Sequence, residues 1–156
     1  AHVKEGGRDA PEYPMLFPRY PSSLVGHGQA IVRTWVSEQY DYEGELAVVI
    51  GRSALHVKAA DALKYVAGYT CVNEGCVRDW QRHTAQLLPG KNFWHSGSIG
   101  PWIVTADEIP NPAALTLATR VNGTQVQHTG TDQMIFSVPA LIQYITTFIT
   151  EKTIVK

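Results

Sequence analysis

Apolar and polar positions along this chain fall into short runs with strand periodicity, and long helical stripes are rare. The strongest run is Tyr42-Glu43-Gly44-Glu45-Leu46-Ala47-Val48-Val49-Ile50-Gly51. Its β-branched residues predict a strand, on which successive side chains point to opposite faces. Glu43, Glu45, Ala47 and Val49 then share one face, and Leu46, Val48 and Ile50 the other. Both faces are apolar beyond Glu45, which predicts cover on both sides.

Other segments are shorter. Residues 1–29 are rich in Pro and Gly, and Pro11, Pro14, Pro18 and Pro21 exclude a long helix. Met15, Leu16 and Phe17 predict a short extended piece, and residues 30–36 a strand. Residues 59–66 read as a short helix with Gly68 as its stop, and residues 69–72 as a short buried strand. Residues 73–82 are a polar, Gly-containing loop just beyond it, where sites tend to be built. Residues 89–94 form a loop carrying Lys91, and residues 100–105 turn into another strand. Residues 114–121 alternate, and Asn122-Gly123 then marks a hairpin returned by residues 124–127. Ser137 caps the clearest helix, with Leu141, Ile142, Ile145 and Phe148 as its apolar stripe. Residues 149–156 carry no signal. The fold class is mainly β, of the α+β type, with a few short helices.

Composition narrows this picture. A chain of 156 residues can bury a real core, and 44% hydrophobic with 17% charged residues is globular. The net charge of −1 and the lack of a basic cluster argue against nucleic acid. The apolar runs are too short to cross a bilayer, and the first residues lack a signal-peptide pattern. Cys71 and Cys76 are the only cysteines, which suggests reduced thiols in a cytoplasmic protein. There is no dinucleotide fingerprint, P-loop or nucleophile elbow.

The chemistry begins with Glu43 and Glu45. Two like charges about 7 Å apart at a covered position repel and lose hydration, and a bound cation relieves both costs. Alternatively the pair lies at the strand's wet end. Glu74 would complete an all-oxygen set suited to Mg²⁺, Mn²⁺ or Ca²⁺. Arg78 and Lys91 could offset the remaining negative charge and hold an anionic substrate, and Gln81 stands at i, i+3 from Arg78. His2 and Glu5 have the same spacing, although His2 also reads as a tag remnant or a frayed end.

As a linked set the motifs are specific. The acidic strand, Val66-Ala67-Gly68-Tyr69-Thr70, Asn73-Glu74 with Arg78-Asp79-Trp80-Gln81, Gly90-Lys91-Asn92-Phe93 and residues 100–105 resemble the fumarylacetoacetate hydrolase family. So do Pro14-Met15-Leu16-Phe17 with Ser22-Ser23-Leu24, and Val121-Asn122-Gly123 with Gln127 and Met134-Ile135-Phe136. The likeness runs from His2 to about Phe148. It implies a mixed β-sandwich roll, a homodimer, and Mg²⁺ held by Glu43, Glu45 and Glu74. It also implies a catalytic His2–Glu5 pair, with Arg78, Gln81, Lys91 and Arg19 on substrate. One departure is Glu74, where the family usually has Asp. Another is that family members carry sequence beyond both ends, so residues 1–156 read as one catalytic domain incomplete at both termini.

The implied reaction is Mg²⁺-dependent hydrolysis of a carbon–carbon bond in a 1,3-dioxo acid. Decarboxylation, isomerisation or lyase chemistry of a small 2-oxo acid fits the same residues. A non-catalytic binder of such acids is the alternative from another class, and a purely structural domain without metal is a third.

Overall fold

The computed structural model describes residues 11–150 and, as backbone, residues 154–155. The chain forms two compact units. Unit 1 holds residues 1–14, 47–69 and 104–156, and unit 2 holds residues 15–46 and 70–103. The structure is mainly β with a few short helices, as the sequence predicts.

Unit 2 contains β1 (Leu24–Gly26), β2 (Tyr40–Asp41), the start of β3 (Gly44–Ile50) and the end of β4 (Val66–Asn73). It also contains β5 (Cys76–Val77), α1 (Arg78–Gln81), α2 (Leu88–Lys91) and β6 (Gly97–Ile99). β1 runs parallel to β6, and β6 pairs antiparallel with β4 through Val72 and Asn73. β2 pairs antiparallel with β5, which sets Asp41 opposite Cys76. This short ribbon carries much of the site.

Unit 1 contains the apolar half of β3 and the first half of β4, with β7 (Val104–Thr105) on β4 and β10 (Ile154–Val155) on β3. Ala47, Val48 and Ile50 are all buried, as expected for a strand covered on both faces. β8 (Thr116–Val121) and β9 (Thr124–Gly130) form the expected hairpin. Asn122 (φ 51°) and Gly123 (φ 84°) both take the left-handed conformation that such a turn requires. α3 (Val138–Ile145) begins at Ser137, whose side chain accepts the Ala140 N–H at 3.3 Å. Ile142 and Ile145 face inward, whereas Phe148 lies past the helix end and is exposed. The core is completed by a 3-10 turn, Ala59–Tyr65, with Ala62 buried. No helix among the described residues is long and apolar enough to cross a membrane.

Several expected elements differ. Residues 30–36 form no strand: Val32 N–H bonds to the His95 carbonyl at 2.9 Å, and Trp35 is 91% exposed. An apolar run without a partner edge stays irregular. The helix expected over 59–66 is a 3-10 turn, and Val66 already begins β4, so Gly68 is not its stop. The polar loop at 73–82 contains β5 and α1, and the loop at 89–94 begins inside α2. Residues 15–17 lie outside any strand, and the strand expected over 100–105 shortens to β7.

Candidate functional site

The acidic strand and the 73–82 segment are stitched together by backbone. Glu43 N–H bonds to Asn73 Oδ1 (3.0 Å), and Glu74 N–H bonds to the Glu43 carbonyl (2.8 Å). Gly75 allows the close approach this needs. Any Cβ there would collide with the Ser96 carbonyl and the Tyr40 hydroxyl. Those two groups are themselves bonded, Tyr40 Oη donating to Ser96 O at 2.7 Å. Burial pushes the Tyr40 pKa up to about 12.

Glu43 and Glu74 are both buried, and one ammonium stands against both of them. Lys91 Nζ lies 2.8 Å from Glu43 Oε2 and 3.4 Å from Glu74 Oε2. Lys91 itself is only 2% exposed, at the end of α2, with Nζ 5.0 Å from the centre of the Phe17 ring. Phe17 thus gives the ammonium an aromatic face in place of water.

Two arginines complete the compensation. Arg78 Nη1 is 2.7 Å from Glu43 Oε1, an ion pair that lacks the alignment of a hydrogen bond. Its Nε and Nη2 hold Asp41 Oδ2, each at 2.9 Å. Burial opposes the charge on Arg78, but Glu43 and Asp41 outweigh it and raise the pKa above its usual value. Arg19 Nη1 meets Glu74 Oε1 at 2.7 Å and the Gly75 carbonyl at 3.1 Å. Its Nε and Nη2 bond to Ser23 Oγ, Ser23 O and Ser96 Oγ. All five N–H groups of Arg19 are therefore used on the protein itself. The sequence reading put Arg19 on substrate; in this structure its donors are engaged with Glu74, Gly75, Ser23 and Ser96.

Gln81 Oε1 accepts from Cys76 Sγ (3.0 Å) and lies 3.4 Å from Arg78 Nη1. Burial pushes the Cys76 thiol up, so it stays protonated and donates. Lys91 and Arg78 thus stand against Glu43, and Gln81 lies beside Arg78. His2 and Glu5 lie outside the described residues.

Glu45 sits half-buried on β3, two residues from Glu43. Among the described residues, no three His, Cys, Asp or Glu side chains form a group able to hold a metal ion. Glu43 and Glu74 come together as a pair, and Glu45 does not complete a triad with them. Side-chain cations stand where the sequence reading puts a metal. In kind the donors fit a hard divalent cation: all are carboxylate oxygens, and the place between Glu43 and Glu74 already accommodates a positive charge.

Asp41, Cys76, Ser96 and Phe17 were not singled out from sequence for this site. Only Asp41, next to the acidic strand, offered a local signal; the others reach the cluster through folding.

Comparison with known proteins bears on the chain as a whole. Residues 1–153 match the model for the fumarylacetoacetate (FAA) hydrolase C-terminal domain. The chain belongs to the fumarylacetoacetate hydrolase family. Human oxaloacetate tautomerase FAHD2A, a mitochondrial member, is 40% identical over 151 residues, covering 96% of this chain and 48% of the relative. The chain thus spans about half the length of the curated relatives it matches. A 2-hydroxyhepta-2,4-diene-1,7-dioate isomerase from Mycobacterium marinum superposes with a TM-score of 0.86 at 36% identity, covering 92% of this chain and 56% of that one. A fumarylpyruvate hydrolase from Pseudomonas aeruginosa, in complex with Mn²⁺ and pyruvate, superposes with a TM-score of 0.85 at 25% identity, covering 97% and 68%. Family membership and fold class therefore stand as the sequence implied.

Proposed function

We propose that this chain carries the active site of a divalent-metal-dependent enzyme of small 2-oxo acids, hydrolysing a carbon–carbon bond in a 1,3-dioxo acid such as an acylpyruvate. The charge balance of the buried cluster carries this reading. Asp41, Glu43 and Glu74 pair with Arg19, Arg78 and Lys91, three charges against three, and Glu45, two residues along from Glu43, adds a fourth carboxylate and so one negative charge in excess. A divalent cation would turn that excess positive, and the carboxylate of an oxo acid would then neutralise it.

Glu43, Glu45 and Glu74 would hold the cation, with Mg²⁺ the first choice and Mn²⁺ or Ca²⁺ the alternatives. When bound, it would supply Lewis acidity toward the oxygens of the 2-oxo acid. The remaining work falls to side chains. His2, oriented by Glu5, would take a proton from the attacking water as general base. Gln81 and Lys91 would donate toward the negative charge that develops as the water attacks, and Arg78 would add its positive field. Arg19 would keep Glu74 in place. The reading includes a homodimer and a cytoplasmic setting.

A second reading is tautomerisation of oxaloacetate. The human relative at 40% identity carries that name, and keto–enol exchange needs the proton transfer without the attacking water. The purified chain is to be incubated with acylpyruvates and with oxaloacetate, with and without Mg²⁺ or Mn²⁺. Metal-dependent cleavage that is lost in His2→Ala supports the hydrolase. Faster enol–keto exchange of oxaloacetate without cleavage supports the tautomerase. Binding of these acids with no change in any of them overturns both and leaves a non-catalytic binder.

A further inference from the structure

We propose that Arg78 and Cys76 together lock the side-chain amide of Gln81 in one orientation, so that Gln81 meets its ligand only as a hydrogen-bond donor and Cys76 is a positioning residue. The idea of a ligand at Gln81 rests on the oxo-acid reading above; the lock itself does not.

The argument starts from what each group can do. A guanidinium has five donors and no acceptor, while an amide presents one acceptor atom and one donor atom that differ little in shape. Arg78 cannot turn away from Gln81, because Asp41 Oδ2 holds its Nε and Nη2 and Glu43 Oε1 faces its Nη1. The amide atom 3.4 Å from Nη1 must therefore be the oxygen. The same oxygen lies 3.0 Å from Cys76 Sγ, so the thiol must donate as well. Cys76 is fully buried on β5 and is held opposite Asp41 by the β2–β5 register. Rotating the amide by half a turn would set its N–H groups against a guanidinium and leave the buried thiol without its acceptor. Both changes cost free energy.

With Oε1 facing two donors, Nε2 points the other way. It makes no hydrogen bond among the described residues, and the side chain is half-buried. Two N–H groups thus remain for a ligand oxygen. A carbonyl, carboxylate or enolate oxygen satisfies them; an ammonium, which only donates, does not. The lock therefore favours oxo acids over the matching amino acids at this position.

Nuclear magnetic resonance on the full chain tests the lock directly. The ¹⁵N–¹H₂ signal of the Gln81 amide is assigned by its disappearance in Gln81→Glu. Its mobility is then compared in the parent, Cys76→Ser, Cys76→Ala and Cys76→Val. Serine keeps a donor, alanine removes it, and valine removes it while filling the space, so one donor-free variant is available if the other fails to fold. A rigid amide in the parent and Cys76→Ser, with a mobile amide in the donor-free variants, supports the proposal. An amide equally rigid in a folded donor-free variant overturns it. Calorimetric binding of oxalate with Mn²⁺ reads the consequence: about fivefold weaker binding without the thiol donor, restored by serine. Parent-like oxalate affinity in the donor-free variants overturns the consequence for the ligand. If the parent chain binds no oxalate, the oxo-acid reading fails, and amide mobility alone still decides the lock.

Discussion

The two units bury different things. In unit 1 the covered side chains are almost all apolar: Ala47, Val48, Ile50, Val57, Ala62, Ile142 and Ile145, with Thr131 and Thr146 as the polar exceptions. In unit 2 charged or polar Ser23, Ser37, Glu43, Thr70, Glu74, Lys91 and Ser96 outnumber the buried apolar residues. An apolar interior loses free energy roughly in proportion to the volume removed. A charged interior fails differently, because each member is tolerable only while its partners stay in place. Unit 2 accepts that fragility to keep carboxylates and cations out of water, where their interactions are strong.

The comparison breaks most sharply at Lys91. Lys91→Met removes the one ammonium set against two buried carboxylates and should cost about 3–5 kcal/mol in urea-induced unfolding. Adding Glu43→Gln should recover part of that loss, because the double variant buries one fewer uncompensated charge. Full additivity of the two substitutions would show that the charges in unit 2 are not coupled. In unit 1, Ile142→Ala should cost about 2–4 kcal/mol through lost burial and the cavity left behind. No charge substitution should relieve it. Equal sensitivity of both variants to charge changes elsewhere would erase the distinction.

The smallest effect concerns Tyr40. Its pKa of about 12 in the folded chain lies above the ordinary 10.0, so folding favours the protonated phenol. That contribution is complete below pH 10 and is lost as pH rises through 12. Unfolding measured from pH 9 to 12 should therefore show stability falling more steeply in the parent than in Tyr40→Phe. Parallel curves would mean that the phenol contributes no pH dependence.

Legibility followed the range of the interactions. The β3 strand was readable because the unbroken apolar, largely β-branched run of residues 46–50 reports cover on both faces. The hairpin at Asn122-Gly123 and the cap at Ser137 were readable because a turn and a cap are made by neighbours in sequence. Residues 30–36 misled for the same reason: local pattern announces a strand, but only a partner edge makes one. Glu43, Glu74, Arg78, Gln81 and Lys91 could be named from the family motifs. Their pairing could not, since Lys91 meets Glu43 across 48 positions and Arg19 meets Glu74 across 55.

By itself, then, the sequence determined the β-rich class, the family and the types of side chain available for chemistry. These depend on composition, short-range pattern and motif order. The tertiary structure alone decided which charge answers which. It spent Arg19 on Glu74, set Lys91 against Glu43 and Glu74, and turned the Gln81 oxygen toward Cys76 and Arg78. Hydrogen bonds and buried ion pairs act over about 3 Å, a distance set only once the chain has folded.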